Sequence, residues 1–400
     1  MKVLFCDPLN TQNNFYIFAK FLRQKGIDAS IAIDSSFRIP KEHLPEWHDQ
    51  NSESLQWIHR LEFPLVMPYQ YPFKYLKRWK KLLDLVNEQD IIICSGYAPI
   101  WLHWANKPFI FFSYGSDLDQ EATQGWSGVP RNSFTAWEKL LHFVIRKQMV
   151  WALKKASAIA LSPYQIDIAD KLGLKNLHFL PHIIDTNLFK PMDIEQKRIV
   201  KFEMYKRLNC DLILFHPPRQ VWIDRSITDC KGNDKVFKAF AKFLAVYPKK
   251  AKLIVVEKGW DADASKGLVR DLGIQESVVW IKPVPKAEMY QYYNIADIVL
   301  DQFVVGVLTL VAVEAMSCGT PALSYVAKAP DGMFYKDMPP IINVNTVESL
   351  YASIVSLADN KNFRKATGKQ GRQWVENNCQ PDIAIPQYID LINEVMGKQV

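Results

Sequence analysis

Short apolar runs alternate with amphipathic stretches along almost the whole chain, and that alternation admits few folds. The runs at 2–6, 29–33, 90–95 and 109–112 are apolar at most successive residues, as strands buried on both faces of a sheet are. Between them, residues 14–25 and 137–156 repeat apolar side chains at helical spacing; Gly26 stops the first, and the second leads into a strand at 158–161. A further strand is expected at 178–180. A strand reaches a parallel neighbour only through a crossover, so this pattern predicts an α/β fold with parallel sheets.

Four hundred residues are more than one core of ordinary size holds, which points to two domains of about 200 residues each. A second α/β unit opens near Asp211 with LILFHPPR. Its expected strands are 212–215, 252–256, 278–281, 298–300 and 321–325, with helices at 234–246, 264–271 and 286–294. The charged stretch 192–209 reads as a helical connector, giving domains at 1–200 and 201–382. A last helix near 383–396 follows a proline-containing break, and 383–400 is free to cross back to the first domain.

A hydrophobic share of 48% with 23% charge is that of a packed globular protein. No apolar run approaches the ~18 residues of a membrane span, and MKVLFCDPLN reads as a first strand rather than a signal peptide. The six cysteines are scattered with no CxxC pair, which argues against a zinc site or disulfide framework and for reduced thiols in the cytoplasm. The net charge of +7 is densest at 71–83, where Lys74, Lys77, Arg78, Lys80 and Lys81 interleave with Phe73, Tyr75 and Trp79. Such a segment is either a solvated helix face or a peripheral contact with the inner face of an anionic membrane. No recognised nucleic-acid module accompanies the charge.

The loop after the first strand, DPLNTQNN, lacks the glycines of a dinucleotide fingerprint, and no P-loop, HExxH or GxSxG motif occurs. The informative segment is DQFVVGVLTLVAVEAMSCGTPALSYV, residues 301–326. A strand end runs through Gly306 into a helix with one acid, Glu314, and Gly319 and Pro321 then break that helix. A lone carboxylate among Val, Leu, Ala and Met needs a partner, and ribose hydroxyls are one common partner in nucleotide sites. The turn at Gly306 and Thr309 would present backbone amides at a helix N-terminus, which suits phosphate. Arg219 follows the strand at 212–215, and Lys231 precedes the next helix.

In these motifs the chain resembles the GT-B glycosyltransferases, especially the retaining family four, the glycosyl transferases group 1. Members carry two glutamates on this loop and helix, followed by Ala-Met-Ala-x-Gly-x-Pro. Here Glu314 is the second glutamate, Gly306 stands in place of the first, and Ala315-Met316-Ser317-Cys318-Gly319-Thr320-Pro321 follows. The resemblance implies two Rossmann-like domains facing a cleft, with a hexose-type sugar passing from a UDP- or GDP-sugar to a glycan or lipid-linked hydroxyl with retention. It needs no metal and no cofactor beyond the donor. It implies that Arg219 and Lys231 clamp the diphosphate, that Gly306, Leu308, Thr309 and Leu310 receive the β-phosphate, and that Glu314 holds the ribose. Asp301 or Gln302 would then replace the missing glutamate. In the first domain it implies Asn13 and Asn14 at the acceptor and Tyr114 and Asp117, in YGSD, near the reacting sugar. Ser162-Pro163-Tyr164 matches a family turn, and His182 and Asp185 match another in part. His103, His142 and His178 read as structural. Two alternatives stay open: a non-catalytic nucleotide-sugar-binding protein, and a GT-B epimerase or hydrolase.

Overall fold

The computed structural model describes the chain except residues 8–13, 36–43, 46–48, 50–55, 62, 64–75, 104, 125–134, 226–228, 328–334, 336 and 398–400, and except the side chains of 76–79. It divides into two compact units, residues 1–183 with 384–400, and residues 184–383. The division thus falls just after Ile183, and the helix at 194–208 belongs with the second unit.

The first unit contains β1 (Lys2–Cys6), α1 (Asn14–Gln24), β2 (Asp28–Asp34), β3 (Ile58–Leu61), α2 (Leu76–Asn87), β4 (Ile91–Cys94), β5 (Phe109–Phe112), α3 (Ala136–Leu153), β6 (Ala158–Ala160), α4 (Ile166–Leu172) and β7 (Leu177–His178). Its strands form one parallel sheet in the order β3-β2-β1-β4-β5-β6-β7. The second unit adds α5 (Ile194–Leu208), β8 (Leu212–His216), α6 (Asn233–Val246), β9 (Ala251–Val256), α7 (Ala262–Asp271), β10 (Val278–Ile281), α8 (Lys286–Ile295), β11 (Ile298–Leu300), α9 (Leu310–Ser317), β12 (Ala322–Ser324), β13 (Ile342–Asn343), α10 (Val347–Asp359) and α11 (Lys361–Asn378). Its sheet, also parallel, runs β10-β9-β8-β11-β12-β13. A final helix, α12 (Pro381–Gly397), starts at the boundary and packs within the first unit.

Alternation along each strand builds the cores. Val3 and Phe5 of β1 face α1 and the α12 residues Ile385 and Ile392, while Leu4 and Cys6 face Val86 of α2 and Met149 of α3. In the second unit Leu212 and Leu214 pack on Phe237 and Phe240 of α6, whereas Ile213 and Phe215 pack with Tyr293 of α8 and Val313 of α9. Both sheets are therefore covered on both faces, as parallel sheets require. The charged helix α5 is anchored by a buried carboxylate: Asp297 accepts from Lys201 Nζ at 2.7 Å, Tyr205 Oη at 2.7 Å and the Ile213 amide at 2.9 Å.

The alternation did not predict β3, β13, α4, α10 or α11. β3 (IHRL) is an edge strand with two adjacent polar residues in its middle, and β13 is two residues long. In α11 the contact face uses glycines, which weaken the apolar pattern. A Cβ on Gly368 would lie 2.2 Å from the Gly319 carbonyl, and one on Gly371 2.9 Å from Met316 Cγ, so glycine lets α11 lie directly on α9.

Candidate functional site

In the second sheet the order reverses between β8 and β11, and in doubly wound sheets ligands bind beyond the carboxyl ends of the strands at that switch point. His216, the last residue of β8, joins the elements there. Its Nδ1 donates to the Leu300 carbonyl at 2.8 Å, and its Nε2 accepts from Asn233 Nδ2 at 2.8 Å. Burial lowers its pKa to about 4, so the ring is neutral and its bonds fix the tautomer. The loops after the two strands are hydrogen-bonded, Phe303 N to Lys231 O at 2.9 Å.

Two cations share one carboxylate in this place. Arg219 Nη2 donates to both Asp229 oxygens at 2.7 and 2.8 Å, and Lys231 Nζ lies 3.6 Å from Asp229 Oδ1. Burial lowers the Lys231 pKa, opposed by the Asp229 charge. For Asp229 burial acts upward, but the Arg219 and Lys231 charges outweigh it and hold the carboxyl below its usual value. The trio carries one positive charge in excess, offset in part by the buried Asp301, whose charge also acts on Lys231. With the Arg219 side chain 40% exposed, that charge can be reached from solvent.

The β11–α9 loop corrects two sequence expectations. Asp301 and Gln302 are both buried, and neither is turned outward to a sugar. Asp301 Oδ2 accepts from Thr309 Oγ1 and Ser324 Oγ, each at 2.7 Å, and burial raises its pKa to about 6. Gln302 Oε1 accepts from the amides of Val304, Val305 and Gly306 at 3.2, 2.8 and 3.3 Å. The Thr309 hydroxyl and the Gly306 amide, both expected at phosphate, are thus spent on the loop itself. What α9 offers an anion is its first-turn amides from Leu310 onward, beside the partly buried Leu308.

Gly306 has φ +77°, and a Cβ there would meet Ala327 Cβ at 3.0 Å and Tyr325 Cε1 at 3.1 Å. A glutamate at this position would be strained by the positive φ and crowded by both side chains. Glu314 is 4% exposed. Its Oε2 accepts from Tyr293 Oη at 2.8 Å, and its Oε1 lies 3.2 Å from Lys286 Nζ but accepts no hydrogen bond among the described residues. Tyr293 and Lys286 thus supply part of the pairing that burial demands from inside the chain.

In the first unit, Asp117 is enclosed by its own loop. Its carboxylate accepts from Ser113 Oγ at 2.8 Å and from the amides of Tyr114, Gly115 and Leu118 at 3.1, 3.1 and 2.9 Å. That geometry makes it a loop organiser rather than a carboxylate open to substrate. Tyr114 packs its ring on Phe15 and Phe112, with centroids 5.3 and 5.2 Å away, and burial raises its pKa well above the phenolic value. The network missed in the sequence continues to Asp119, whose carboxylate accepts from Gln165 Nε2 at 2.7 Å and Tyr164 Oη at 2.9 Å. Burial raises the Asp119 pKa to about 6. Asp119 lies two residues from the singled-out Asp117, and that proximity was the only signal for it. Asn14 is buried at the start of α1, and Asn13 lies outside the described residues. Asp185 accepts from the amides of Asn187 and Leu188, a local turn. His142 is buried, and His103 Nδ1 bonds the Pro99 carbonyl.

Residues 221–374 match the family described as Glycosyl transferases group 1, a span that includes Lys231, Gly306, Thr309 and Glu314. The matched span lies within the second unit. Sequence relatives include a GDP-mannose-dependent alpha-(1-6)-phosphatidylinositol monomannoside mannosyltransferase of Mycolicibacterium smegmatis, 25% identical over 51% of the chain and 53% of the relative. A D-inositol 3-phosphate glycosyltransferase of Acidothermus cellulolyticus is 26% identical over 24% of the chain and 23% of the relative. The matches thus span from about a quarter to about half of these relatives' lengths. Over nearly the whole chain the likeness is one of fold. Anabaena HepE in complex with UDP superposes with TM-score 0.67 at 15% identity, covering 98% of this chain and 100% of that one. The two parallel α/β units are those of the GT-B fold.

Proposed function

We propose that this protein is a glycosyltransferase that moves a sugar from a nucleoside diphosphate sugar to a hydroxyl of a glycan or lipid-linked acceptor. One observation carries the reading: Arg219 and the largely buried Lys231 share the carboxylate of Asp229 at the switch point of the second sheet. A diphosphate leaving group gains negative charge as the glycosidic bond breaks, and fixed cations stabilise it most where water is scarce. The first-turn amides of α9 add donors for the phosphate nearer the sugar. Glu314 takes the ribose hydroxyls in this reading, with Lys286 yielding part of its pairing when nucleotide binds.

Retention follows if an oxygen of the departing diphosphate accepts the proton of the incoming hydroxyl on the same face of the sugar. The new C–O bond then forms where the old one breaks, and no protein nucleophile is used. Gly306 stands in place of the family's sugar-facing glutamate, which favours a second reading, a protein that binds a nucleotide sugar without transferring it. The six buried free thiols suit a reducing compartment, and the cytoplasm is the location this reading takes.

Incubation with a panel of UDP- and GDP-sugars, with released nucleoside diphosphate measured, separates the two. Turnover of one donor that rises with an added hydroxyl acceptor is expected. Binding of UDP or GDP with no release from any donor would leave the binding protein as the correct reading.

A further inference from the structure

Helix α3 opens on a complete capping box, with the Glu138 amide donating to Thr135 Oγ1 and the Thr135 amide to Glu138 Oε2, so its first turn is fixed. Its inner face is ordinary core: Ile145, Met149 and Leu153 pack under the first sheet. The outer face is not ordinary. Trp137, Leu140, Val144 and Trp151 fall on one stripe at a helical advance of about 100° per residue. With Phe143 on its flank, each of these side chains is 42% to 59% exposed. Scattered apolar residues on a surface need no explanation, but a contiguous stripe with two tryptophans does.

The charges beside the stripe indicate what covers it. Lys139, Arg146, Lys147, Lys154 and Lys155 lie on α3 or its final turn, and Glu138, already engaged in the cap, is the only acid in the helix. Lys147 Nζ lies 5.5 Å from the Phe143 ring centroid and Lys155 Nζ 3.7 Å from that of Trp151, so cations and rings share one rim. Lysine stems cover apolar surface while their heads stay wet. Tryptophan is the residue that settles at the boundary between headgroups and acyl chains.

We propose that α3 docks the first unit onto an anionic lipid surface, with Trp137, Leu140, Val144 and Trp151 entering the headgroup layer and the lysines contacting acidic headgroups. A second copy of this chain is the poorer occupant. It would set five cations against five, and Lys147 interrupts the three-and-four spacing at which a partner helix would seat an apolar side chain. Lys80 and Lys81 of α2 are the described cationic side chains of the basic cluster at 71–83.

Co-sedimentation of the full chain with vesicles tests the proposal. Vesicles of phosphatidylglycerol and phosphatidylcholine in equal parts should be bound, and phosphatidylcholine vesicles at least about tenfold more weakly, a gap that salt narrows. Lys147→Glu with Lys154→Glu should weaken binding by about tenfold or more, as should Leu140→Ser with Trp151→Ser, with circular dichroism unchanged. Lys80→Gln with Lys81→Gln should change it less. Binding that survives both α3 double variants, or that is lost only on changing Lys80 and Lys81, overturns the proposal. So does a dimer in light scattering that Leu140→Ser with Trp151→Ser disperses, because the face then belongs to a second copy. If one α3 variant loses its fold, the other still decides.

Discussion

The loops beyond the strand ends of the two sheets put polar groups to opposite uses. In the first unit, residues 113–121 bury Asp117 and Asp119, and every contact described for those carboxylates comes from the loop itself or from Tyr164 and Gln165 and the Gly96 amide. In the second unit Arg219 and Lys231 hold the Asp229 carboxylate between them, with the Asp301 charge also acting on Lys231, and Arg219 stays part-exposed. A carboxylate that has all its donors defines a loop's shape. Clustered cations open to solvent define a place for an anion. Similar sheets thus carry a closed network in one unit and an open one in the other.

The sharpest way to break that contrast is Asp117→Ala. It leaves the buried amides of Tyr114 and Gly115 and the Ser113 hydroxyl without their acceptor, and should cost about 3 kcal/mol or more of stability while leaving nucleotide affinity unchanged. Urea unfolding beside UDP titration checks both halves; a stable variant with lost binding would mean Asp117 faces ligand after all.

The next largest effect is in pH. With its pKa raised to about 6, Asp119 contributes stability that is full below its ordinary value of 3.8 and is lost as pH rises through 6. Asp119→Asn should therefore gain on the wild type by up to about 2 kcal/mol between pH 4 and pH 7, read from melting curves. His216 has the opposite sign. Lowered to about 4, it gives stability that is present above 6.5 and lost as pH falls through 4, so the gain must be read as a difference from wild type. A flat difference would mean Asp119 is charged in the folded state.

Gly306→Glu restores the carboxylate that relatives carry. At φ +77° and 3.0 Å from Ala327 Cβ it should cost about 1–2 kcal/mol and leave turnover no faster. Faster turnover without loss of stability would show that the loop can be reshaped to the family pattern.

Much of this contrast was legible in the sequence, though unevenly. The alternation of strands and helices is forced by the need to bury both faces of a parallel sheet, and it located β1, β8 and β11 closely because each is apolar throughout. Arg219 and Lys231 were singled out by the family resemblance and by their place at strand ends, where charge is usable. The roles of Asp301, Gln302 and Glu314 were not legible. Whether a buried polar side chain faces a ligand or a neighbour depends on residues far along the chain, here Ser324, Tyr325 and Tyr293. Gly306 showed as an absent glutamate, but only the positive φ and the nearby Tyr325 and Ala327 explain why. The cap and core faces of α3 follow from spacing; its exposed stripe emerges only once the other face is seen to be core.

The central claim is that Arg219 and Lys231 form the diphosphate end of a donor site. Calorimetric titration of UDP and GDP into the wild type, Arg219→Ala and Lys231→Ala tests it most directly. The wild type should bind one of the two nucleotides, and each variant should bind it about 10- to 100-fold more weakly with its fold intact, the loss expected for a charge-assisted phosphate contact. Wild-type affinity in both variants would contradict the claim and place the nucleotide elsewhere.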